Sequence, residues 1–446
     1  MRIPKKFSPA QSILLAFLAV IVIGGILLTL PISSETKTFT NPADAFFTAT
    51  SATCVTGLVT LDTGTYWSSF GKAVILLLIQ VGGMGVMTIS FIVSVILKRR
   101  VTPKERVVFA KSMNLSNYSK VMRFFMDMMA FMLIFETAGA LLLAIRFIPR
   151  YGVAEGISKS VFHSVSAFCN AGFDILGGGT SLIPYSNDAF VCLVICALII
   201  SGGLGFVVWQ NLYKKAKYGE RLSAYTKLVL VATLTLLVSG AVIFISAEWG
   251  NPATLGGSGF GQKLLSGFFQ SVTFRTAGFN TLSITSLTGA SKAFAMILMF
   301  IGGSSASTAG GIKTVTFALV IIGALNFSRG KKEVNIFGRR VEHASLLHAY
   351  AVAGIAITAI ILSSFLLAFT QSGTYSGLLF ESFSAFGTVG VTDGVTATLN
   401  VFGKILIMLL MYMGRVGALT ITYSVLTGFH KEKQTIKYPK TNFLIG

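Results

Sequence analysis

The chain has 446 residues, of which 53% are hydrophobic and only 12% are charged, and its formal net charge is +20. A typical soluble domain carries about 25% charged residues. The composition therefore excludes an ordinary water-soluble enzyme, a disordered tail and a secreted disulfide module, since four cysteines give no disulfide framework. The excess of Lys and Arg fits either nucleic-acid binding or one water-facing side of a membrane protein.

Eight apolar segments are long enough to cross a bilayer, which takes about 20 residues. In chain order they are residues 10–30, 71–97, 120–147, 188–212, 224–247, 291–327, 345–369 and 401–428. The sequence therefore predicts a multi-pass protein of the cell membrane.

The basic residues are concentrated on one side of these predicted spans. One set of segments holds 26 of the 36 Lys and Arg residues, whereas the other set of loops holds 8. The first set is the N-terminus, 98–123, 211–227, 313–343 and the tail 429–446. By the positive-inside rule, both termini lie in the cytoplasm. Topology alone accounts for these charges, and no nucleic-acid partner is expected.

A short motif that ends in Gly and an apolar residue occurs four times along the chain. Its glycines are Gly57, Gly172, Gly278 and Gly390, with spacings of 115, 106 and 112 residues. A second glycine cluster begins 24 to 30 residues after each one. Two coupled motifs at near-constant offset indicate internal repeats. The four repeats are predicted at 10–97, 120–212, 224–327 and 345–428, as parts of a single pore domain.

Each repeat has the pattern span, short segment, span. An 11-residue helix covers only about 16 Å, half of the hydrocarbon core, so each short segment must enter the membrane and return. The short segments are 42–52, 158–168, 262–273 and 376–385. Two crossings per repeat make all four repeats parallel around an axis along the membrane normal. The predicted fold is an all-α polytopic membrane protein, with eight transmembrane helices and four re-entrant half-helices around a central pore.

The loops after the short segments have almost no acidic side chains, so their backbone carbonyls are the available ligands. A terminal glycine lets the backbone turn its carbonyls to the axis. A ring of carbonyls from four loops can replace the hydration shell of a monovalent cation. The negative ends of the short helices would also favour a cation at the pore centre.

The fourth loop, Gly387-Thr388-Val389-Gly390, looks like the start of the T-V-G-Y-G filter of potassium channels. With four such units in order and a glycine-rich break in the sixth span, residues 10–428 resemble the Trk/Ktr/HKT superfamily of potassium transporters. The bacterial Ktr-type membrane subunit is the most similar type. In this family a Ser at the first filter glycine accompanies sodium preference, whereas this chain has Gly57, which favours potassium.

The resemblance assigns a K⁺ filter that binds ions mainly through backbone carbonyls. Its residues are Cys54, Val55, Thr56, Gly57, Cys169, Asn170, Ala171, Gly172, Arg275, Thr276, Ala277, Gly278, Gly387, Thr388, Val389 and Gly390.

The sixth span contains ten consecutive small residues, which disfavour a straight helix. They are Gly302, Gly303, Ser304, Ser305, Ala306, Ser307, Thr308, Ala309, Gly310 and Gly311. The segment resembles the intramembrane gating loop of the family. The alternative is a small-residue face for helix packing.

Two arginines lie in membrane segments, where a charge is costly and indicates function. We expect Arg415 in the last span to face the broken sixth span and to oppose cation flux, as a similar arginine does in the family. The alternative is a buried ion pair with Asp127 or Glu136. We expect Arg275 to point behind its filter loop and to hold it, for example through Glu381 or a backbone carbonyl.

Other polar side chains have weaker patterns. His163 and Glu381 each lie nine residues before a filter glycine, which fits structural hydrogen bonding or support of the filter. Cys192 and Cys196 are expected in the core, because two cysteines without His or acidic neighbours make a poor metal site.

The resemblance implies potassium uptake, with K⁺ as the transported ion and Na⁺ as a candidate activator. It also implies a homodimer and a cytoplasmic nucleotide-binding regulatory ring. The alternatives are a sodium or unselective cation pathway of the same fold, and a multi-span membrane enzyme. The enzyme is disfavoured because the chain has four His and no Walker A, H-E-x-x-H or G-x-S-x-G motif in the required context.

Overall fold

A computed structural model shows a predominantly helical chain and describes residues 9–85, 121–331 and 333–417. The predicted tail 429–446, most of the basic segment 98–123 and the ends of the second and eighth predicted spans lie outside these residues. Within them the helices follow one order four times, with a long helix, a short helix, a loop and a second helix.

The long helices have 21 to 31 residues each and are apolar enough to cross a membrane. They are Pro9–Thr29, Val121–Tyr151, Ala224–Glu248 and His343–Ala368. Their outward faces are exposed and apolar, as lipid-facing surfaces require. The predicted first, third, fifth and seventh spans are therefore confirmed.

The short helices have 12 to 16 residues and are largely buried. They are Pro42–Thr53, Val153–Phe168, Phe260–Thr273 and Tyr375–Gly387. At 1.5 Å per residue they reach about 18 to 24 Å, which is too short to cross the hydrocarbon core. The second of them begins earlier than the predicted residue 158, and all four re-entrant half-helices are present.

The second helix of each repeat starts at a capping side chain. Ser, Asp, Thr and Asn accept hydrogen bonds from backbone N–H groups of the first turn, which have no partner inside the helix. The caps are Ser68, Asp188, Thr288 and Asn400. Local sequence thus fixes where the chain turns back into the membrane after each filter loop.

Every second helix ends at or next to its glycine cluster, whereas the sequence predicted a break only in the sixth span. Ser69–Met84 ends at Gly85 and Val401–Val416 ends at Gly417, with φ of 83° and 98°. The predicted span 188–212 is bent, because the chain turns by 96° at Gly205 between Ala189–Leu204 and Phe206–Tyr218. The positive φ of these glycines is incompatible with a continuing helix.

The sixth span is broken over a longer stretch, as predicted. Gly289–Phe300 and Thr314–Ser328 are separate helices, and residues 301–313 between them form a loop. The described chain also contains one small hairpin, in which Asn335–Ile336 pairs antiparallel with Arg339–Arg340. This hairpin lies in the connection between the third and fourth repeats.

Two largely buried ion pairs, each formed by a lysine near the start of a second helix, connect neighbouring repeats. Lys292 Nζ lies 2.7 Å from Asp393 Oδ1 and joins the third repeat to the fourth. Lys404 Nζ lies 2.6 Å from Asp44 Oδ1 and joins the fourth repeat to the first. The last repeat therefore contacts the first, and the four units form a closed arrangement.

The second glycine clusters allow the second helices to touch the ends of the short helices. An added Cβ at Gly202 would overlap the carbonyl oxygen of Phe168, the last residue of the short helix in that repeat. The same overlap occurs in the first and fourth repeats, at Gly82 with Thr53 and at Gly414 with Phe386. These glycines permit backbone-to-backbone packing, which holds each filter loop in place.

We expect Gly202→Ala to lower the free energy of unfolding by about 1–3 kcal/mol, since overpacking must shift the helix or the filter loop. The midpoint of thermal unfolding in detergent measures this effect. Gly203→Ala is the matched control, because its added Cβ would meet only Asn170 Nδ2 at 3.6 Å. Equal stability of the two variants would contradict the packing role of Gly202.

Candidate functional site

The four glycine loops share one backbone conformation. Two residues before each glycine, a residue with a side chain adopts a positive φ, which is uncommon outside glycine. These residues are Val55 (56°), Asn170 (57°), Thr276 (72°) and Thr388 (51°). The glycines also have positive φ, at Gly57 (93°), Gly172 (69°), Gly278 (84°) and Gly390 (90°). Because the sign of φ alternates, successive carbonyls do not point to opposite sides as they do in a strand.

The residue before each glycine turns its N–H back to the short helix. The hydrogen bonds are Thr56 N to Ser51 O (2.8 Å), Ala171 N to Ser166 O (2.8 Å), Ala277 N to Thr273 O (2.9 Å) and Val389 N to Ser384 O (2.9 Å). In the described part of the chain, no backbone N–H donates to the carbonyls of these four residues. These oxygens are therefore available to a ligand.

The four filter glycines meet in a closed ring. An added Cβ at Gly172 would lie 2.6 Å from the carbonyl oxygen of Ala277 in the next repeat, and one at Gly57 would overlap that of Ala171. In the same way, an added Cβ at Gly278 would overlap the carbonyl oxygen of Val389. One at Gly390 would overlap that of Thr56 in the first loop, which closes the ring. Each glycine thus faces the carbonyl that precedes the glycine of a neighbouring loop. The four loops assigned by sequence therefore come together, and the polar groups at their meeting point are mainly backbone carbonyl oxygens.

Polar side chains in the short helices hold the loops from behind. The Glu381 carboxylate accepts a hydrogen bond of 2.9 Å from the Thr392 hydroxyl and another from the Thr396 hydroxyl. Both threonines follow Gly390, so Glu381 supports the outgoing arm of the fourth loop. His163 is packed among aromatic rings, and its Nδ1 lies 2.7 Å from Lys159 O.

Arg275 is buried behind the third loop, and its Nη2 donates to the Thr314 hydroxyl at 3.3 Å. This partner differs from the two examples expected, Glu381 or a backbone carbonyl, and the Glu381 carboxylate accepts hydrogen bonds from two threonines of its own repeat. The sequence did not indicate Thr314, which lies beyond the ten small residues of the predicted gating segment.

The sixth-span loop, residues 301–313, packs against the second helices of two other repeats. Ser304 N donates to Gly203 O at 3.0 Å, and Gly311 N donates to Gly414 O at 3.1 Å. Its own ends are held together by a hydrogen bond of 2.8 Å from Gly302 N to Ile312 O. The loop is therefore a closed, hydrogen-bonded turn wedged between repeats, which a simple helix-packing face would not form.

The same loop touches the filter. The Thr308 hydroxyl donates to Phe168 O at 3.0 Å, at the end of the second short helix. An added Cβ at Gly310 would overlap the Thr388 hydroxyl in the fourth filter loop. The ten small residues therefore lie directly against the filter loops of the second and fourth repeats.

Arg415 extends from the last helix to this loop. Its guanidinium donates to the carbonyls of Thr308 and Gly82, and to Gly83 O at 3.0 Å. One side chain thus joins the fourth repeat to the sixth-span loop and to the first repeat. Beside it, Lys313 Nζ donates to Ala309 O at 2.8 Å.

The ion-pair alternative for Arg415 is wrong. Glu136 accepts from Gln80 Nε2 at 2.9 Å, and Asp127 accepts from Gln210 Nε2 at 3.0 Å. Among the described residues, no carboxylate is paired with Arg415. Its positive charge is met by neutral carbonyl oxygens.

The four cysteines are buried and form no metal site within the described residues. Cys192 and Cys196 lie in the hydrophobic core as expected, and Cys54 and Cys169 are fully buried in the filter loops. The described chain contains no group of three or more His, Cys, Asp or Glu side chains arranged to hold a metal ion.

Two acidic residues beside the second filter loop were not singled out from the sequence. Asp174 follows Gly172 by two residues, and burial together with the nearby negative charge of Asp62 raises the pKa of Asp174 to about 6. Asp62 accepts a hydrogen bond of 2.8 Å from Gly179 N and so joins the first and second repeats. A negative potential beside the filter raises the local concentration of cations.

Comparison with known proteins gives the same architecture. A family model described as TrkH, a cation transport protein, matches residues 3–433. The chain is 39% identical to the potassium/sodium uptake protein NtpJ of Enterococcus hirae, across 100% of this chain and 99% of the relative. It is 40% identical to the Ktr system potassium uptake protein B of Bacillus subtilis, across 99% and 97%.

Among solved structures, the potassium transporter TrkH from Vibrio parahaemolyticus aligns with a TM-score of 0.73, over 97% of this chain and 87% of that one. At 14% identity this likeness shows the fold alone. The full-length family match and the two relatives show the family as well. The chain belongs to the TrkH family of cation transport proteins, within the Trk/Ktr superfamily, and is an integral membrane transporter rather than an enzyme.

Proposed function

We propose that this protein takes up potassium across the cytoplasmic membrane through a filter formed by the four glycine loops. The observation that carries the proposal is the closed ring of filter glycines, in which four preceding carbonyls receive no backbone hydrogen bond from the described residues. Carbonyls in such a ring replace the water around a monovalent cation. The names of the relatives, which specify potassium or potassium and sodium uptake, support this ion.

The short helices favour a cation at the same point. All four end at the filter loops, and the C-terminal end of a helix carries a partial negative charge. A filter of backbone carbonyls needs no side-chain carboxylate to bind a monovalent cation. Potassium then moves down its electrochemical gradient.

We infer that the sixth-span loop is the gate. It lies against the filter loops through Thr308 and Gly310, and Arg415 holds it to two other repeats. A guanidinium fixed beside the filter also raises an electrostatic barrier to a cation. In the described arrangement the loop and Arg415 together restrict the pathway, and conduction requires both to move.

A sodium or unselective monovalent-cation pathway is the second candidate, favoured by the name of the Enterococcus relative, a potassium/sodium uptake protein. Gly57 at the first filter position favours potassium instead. In the potassium proposal, sodium retains a role as an activator rather than as the main transported ion.

We also propose that the protein forms a homodimer and that a cytoplasmic nucleotide-binding ring regulates it. The homodimer is implied by the family resemblance, whereas the concentration of Lys and Arg on one predicted side, including residues 211–227 and 313–343, supports docking of the ring. Such a surface complements an acidic partner. Both termini would lie on this same cytoplasmic side.

Gly57→Ser tests the filter. The side chain would overlap the carbonyl oxygen of Ala171, at a φ of 93°, and so displace carbonyls of two neighbouring loops. We expect the ratio of K⁺ to Na⁺ flux in proteoliposomes to fall by about tenfold, which corresponds to about 1.4 kcal/mol. Gly178→Ser is the control, since its φ is 74° but an added Cβ meets nothing within 4 Å. An unchanged ratio in folded Gly57→Ser would contradict the carbonyl ring.

Deletion of residues 304–308 tests the gate. Because the deletion removes the carbonyl of Thr308 that Arg415 holds, together with the Thr308 hydroxyl bond to the filter, we expect K⁺ flux to rise. Flux is measured in proteoliposomes, after gel filtration has shown a folded protein. A folded variant with unchanged or lower flux would count against a gating role.

Arg415→Ala removes both the charge and the hydrogen bonds to the loop. We expect K⁺ flux to rise by about tenfold, because lowering the barrier by about 1.4 kcal/mol increases a rate tenfold. Arg415→Lys separates the two effects: it keeps the charge but not the forked donor geometry. Flux of Arg415→Lys near the wild-type value indicates an electrostatic barrier, and flux near that of Arg415→Ala indicates a tether. Unaltered flux in folded Arg415→Ala would exclude both roles.

A further inference from the structure

We propose that Arg275 and Thr314 couple the filter to the sixth-span loop, so that ion selectivity depends on the position of the gate. This inference rests on the proposed filter and gate, and it assigns Arg275 as a positioning residue. The argument begins with one hydroxyl group, that of Thr314, which contacts both structures.

Thr314 closes the base of the sixth-span loop. Its hydroxyl donates to Gly302 O at 2.8 Å, and its backbone N–H donates to Gly303 O at 3.0 Å. Gly302 and Gly303 begin the loop, and Thr314 is the first residue of the helix that follows it. The two ends of the loop therefore cannot separate without breaking these bonds.

The same hydroxyl accepts a hydrogen bond from the filter. Arg275 Nη2 lies 3.3 Å from Thr314 Oγ1, and Arg275 is the first residue of the third filter motif. A hydroxyl can donate one hydrogen bond while accepting another. Thr314 therefore joins Arg275 of the filter to Gly302 of the loop in one continuous hydrogen-bonded chain.

Arg275 depends strongly on this contact. It is 8% exposed, and its Nε is buried without a partner in the described part of the chain. Removing the only partner of a buried charge costs far more than removing a surface contact. Among the described residues, the bond with Thr314 is the one side-chain hydrogen bond that the structure gives this guanidinium.

The surroundings leave Arg275 room to move. A cavity of about 20 Å³ is lined by Arg275 together with Asn170, Gly203 and Gly303. A volume of this order holds about one water molecule. When the ends of the loop part, the Thr314 hydroxyl loses Gly302, and Arg275 can shift into this space and move the filter backbone at Thr276. By linkage, an ion in the filter must in turn bias the loop.

Thr314→Val tests the coupling, since Val has the shape of Thr but no hydroxyl. The readout is the ratio of K⁺ to Na⁺ flux in proteoliposomes of the full chain, because a residue that only closes the gate would change the rates without changing this ratio. We expect the ratio to change at least about fivefold, the lower end of ordinary coupling between sites. Thr314→Ser keeps the hydroxyl and is expected to retain the wild-type ratio.

Thr48→Val is the matched control. Thr48 is also fully buried, and its hydroxyl donates at 2.9 Å to Asp44 O in its own helix, outside the filter motif and the sixth-span loop. Its ratio should equal that of the wild type. Arg275→Gln completes a double-mutant cycle, in which Arg275→Gln and Thr314→Val combined should alter the ratio no more than the larger single change.

An unchanged ratio in folded Thr314→Val, or additive effects in the cycle, would overturn the coupling. If Arg275→Gln does not fold, the contrast between Thr314→Val and Thr314→Ser decides alone. Failure of the coupling is distinct from failure of the proposed function. In the first case Gly57→Ser still changes selectivity and the deletion of residues 304–308 still raises flux, whereas in the second the wild type itself does not select potassium.

Discussion

Four backbone segments meet at the centre of this molecule, and they can do so only because four positions have no side chain. At Gly57, Gly172, Gly278 and Gly390 an added Cβ would collide with a carbonyl of the neighbouring loop. The helix caps start each return helix, and ion pairs join the fourth repeat to the third and the first. The second glycine clusters extend this principle, since they let helices press directly on the carbonyl ends of the short helices. Backbone packing against backbone is thus what fixes the positions of the carbonyl oxygens.

The positive charges near the filter are bound by neutral oxygens rather than by carboxylates. Arg415 is held by three carbonyls and Lys313 by one, whereas Arg275 is held by a hydroxyl. Neutral partners leave the charge uncompensated, so these side chains act on a nearby cation more strongly than members of ion pairs would. Each of the arginine bonds also joins two parts of the chain that are distant in sequence, so movement of the sixth-span loop must change the electrostatic field at the filter.

Much of this architecture follows from the sequence, because glycine spacing and span length are properties of the chain itself. The repeats, the re-entrant helices and the broken sixth span were predicted in this way. The 96° bend at Gly205 was not, since residues 188–212 are predominantly apolar and glycines lower helix propensity without specifying a bend. The bend accompanies a tertiary contact, in which the backbone N–H of Phe206 donates to Ala306 O of the sixth-span loop. The partner of Arg275 was missed for a similar reason. Opposite charge favoured Glu381, whereas the fold brings the hydroxyl of Thr314, 39 residues later in the sequence, next to the guanidinium.

The position of Arg415 has a consequence for why the four repeats share one polypeptide. In its glycine cluster, Arg415 takes the place that Gly83, Gly203 and Gly303 have in the other repeats. In an assembly of four identical subunits, this substitution would place four guanidiniums around one axis, where their mutual repulsion would oppose closure. Joining the repeats in one chain allows a single arginine to reach the carbonyl of the quasi-equivalent Gly83. Fusion thus permits four similar walls with only one arginine among them.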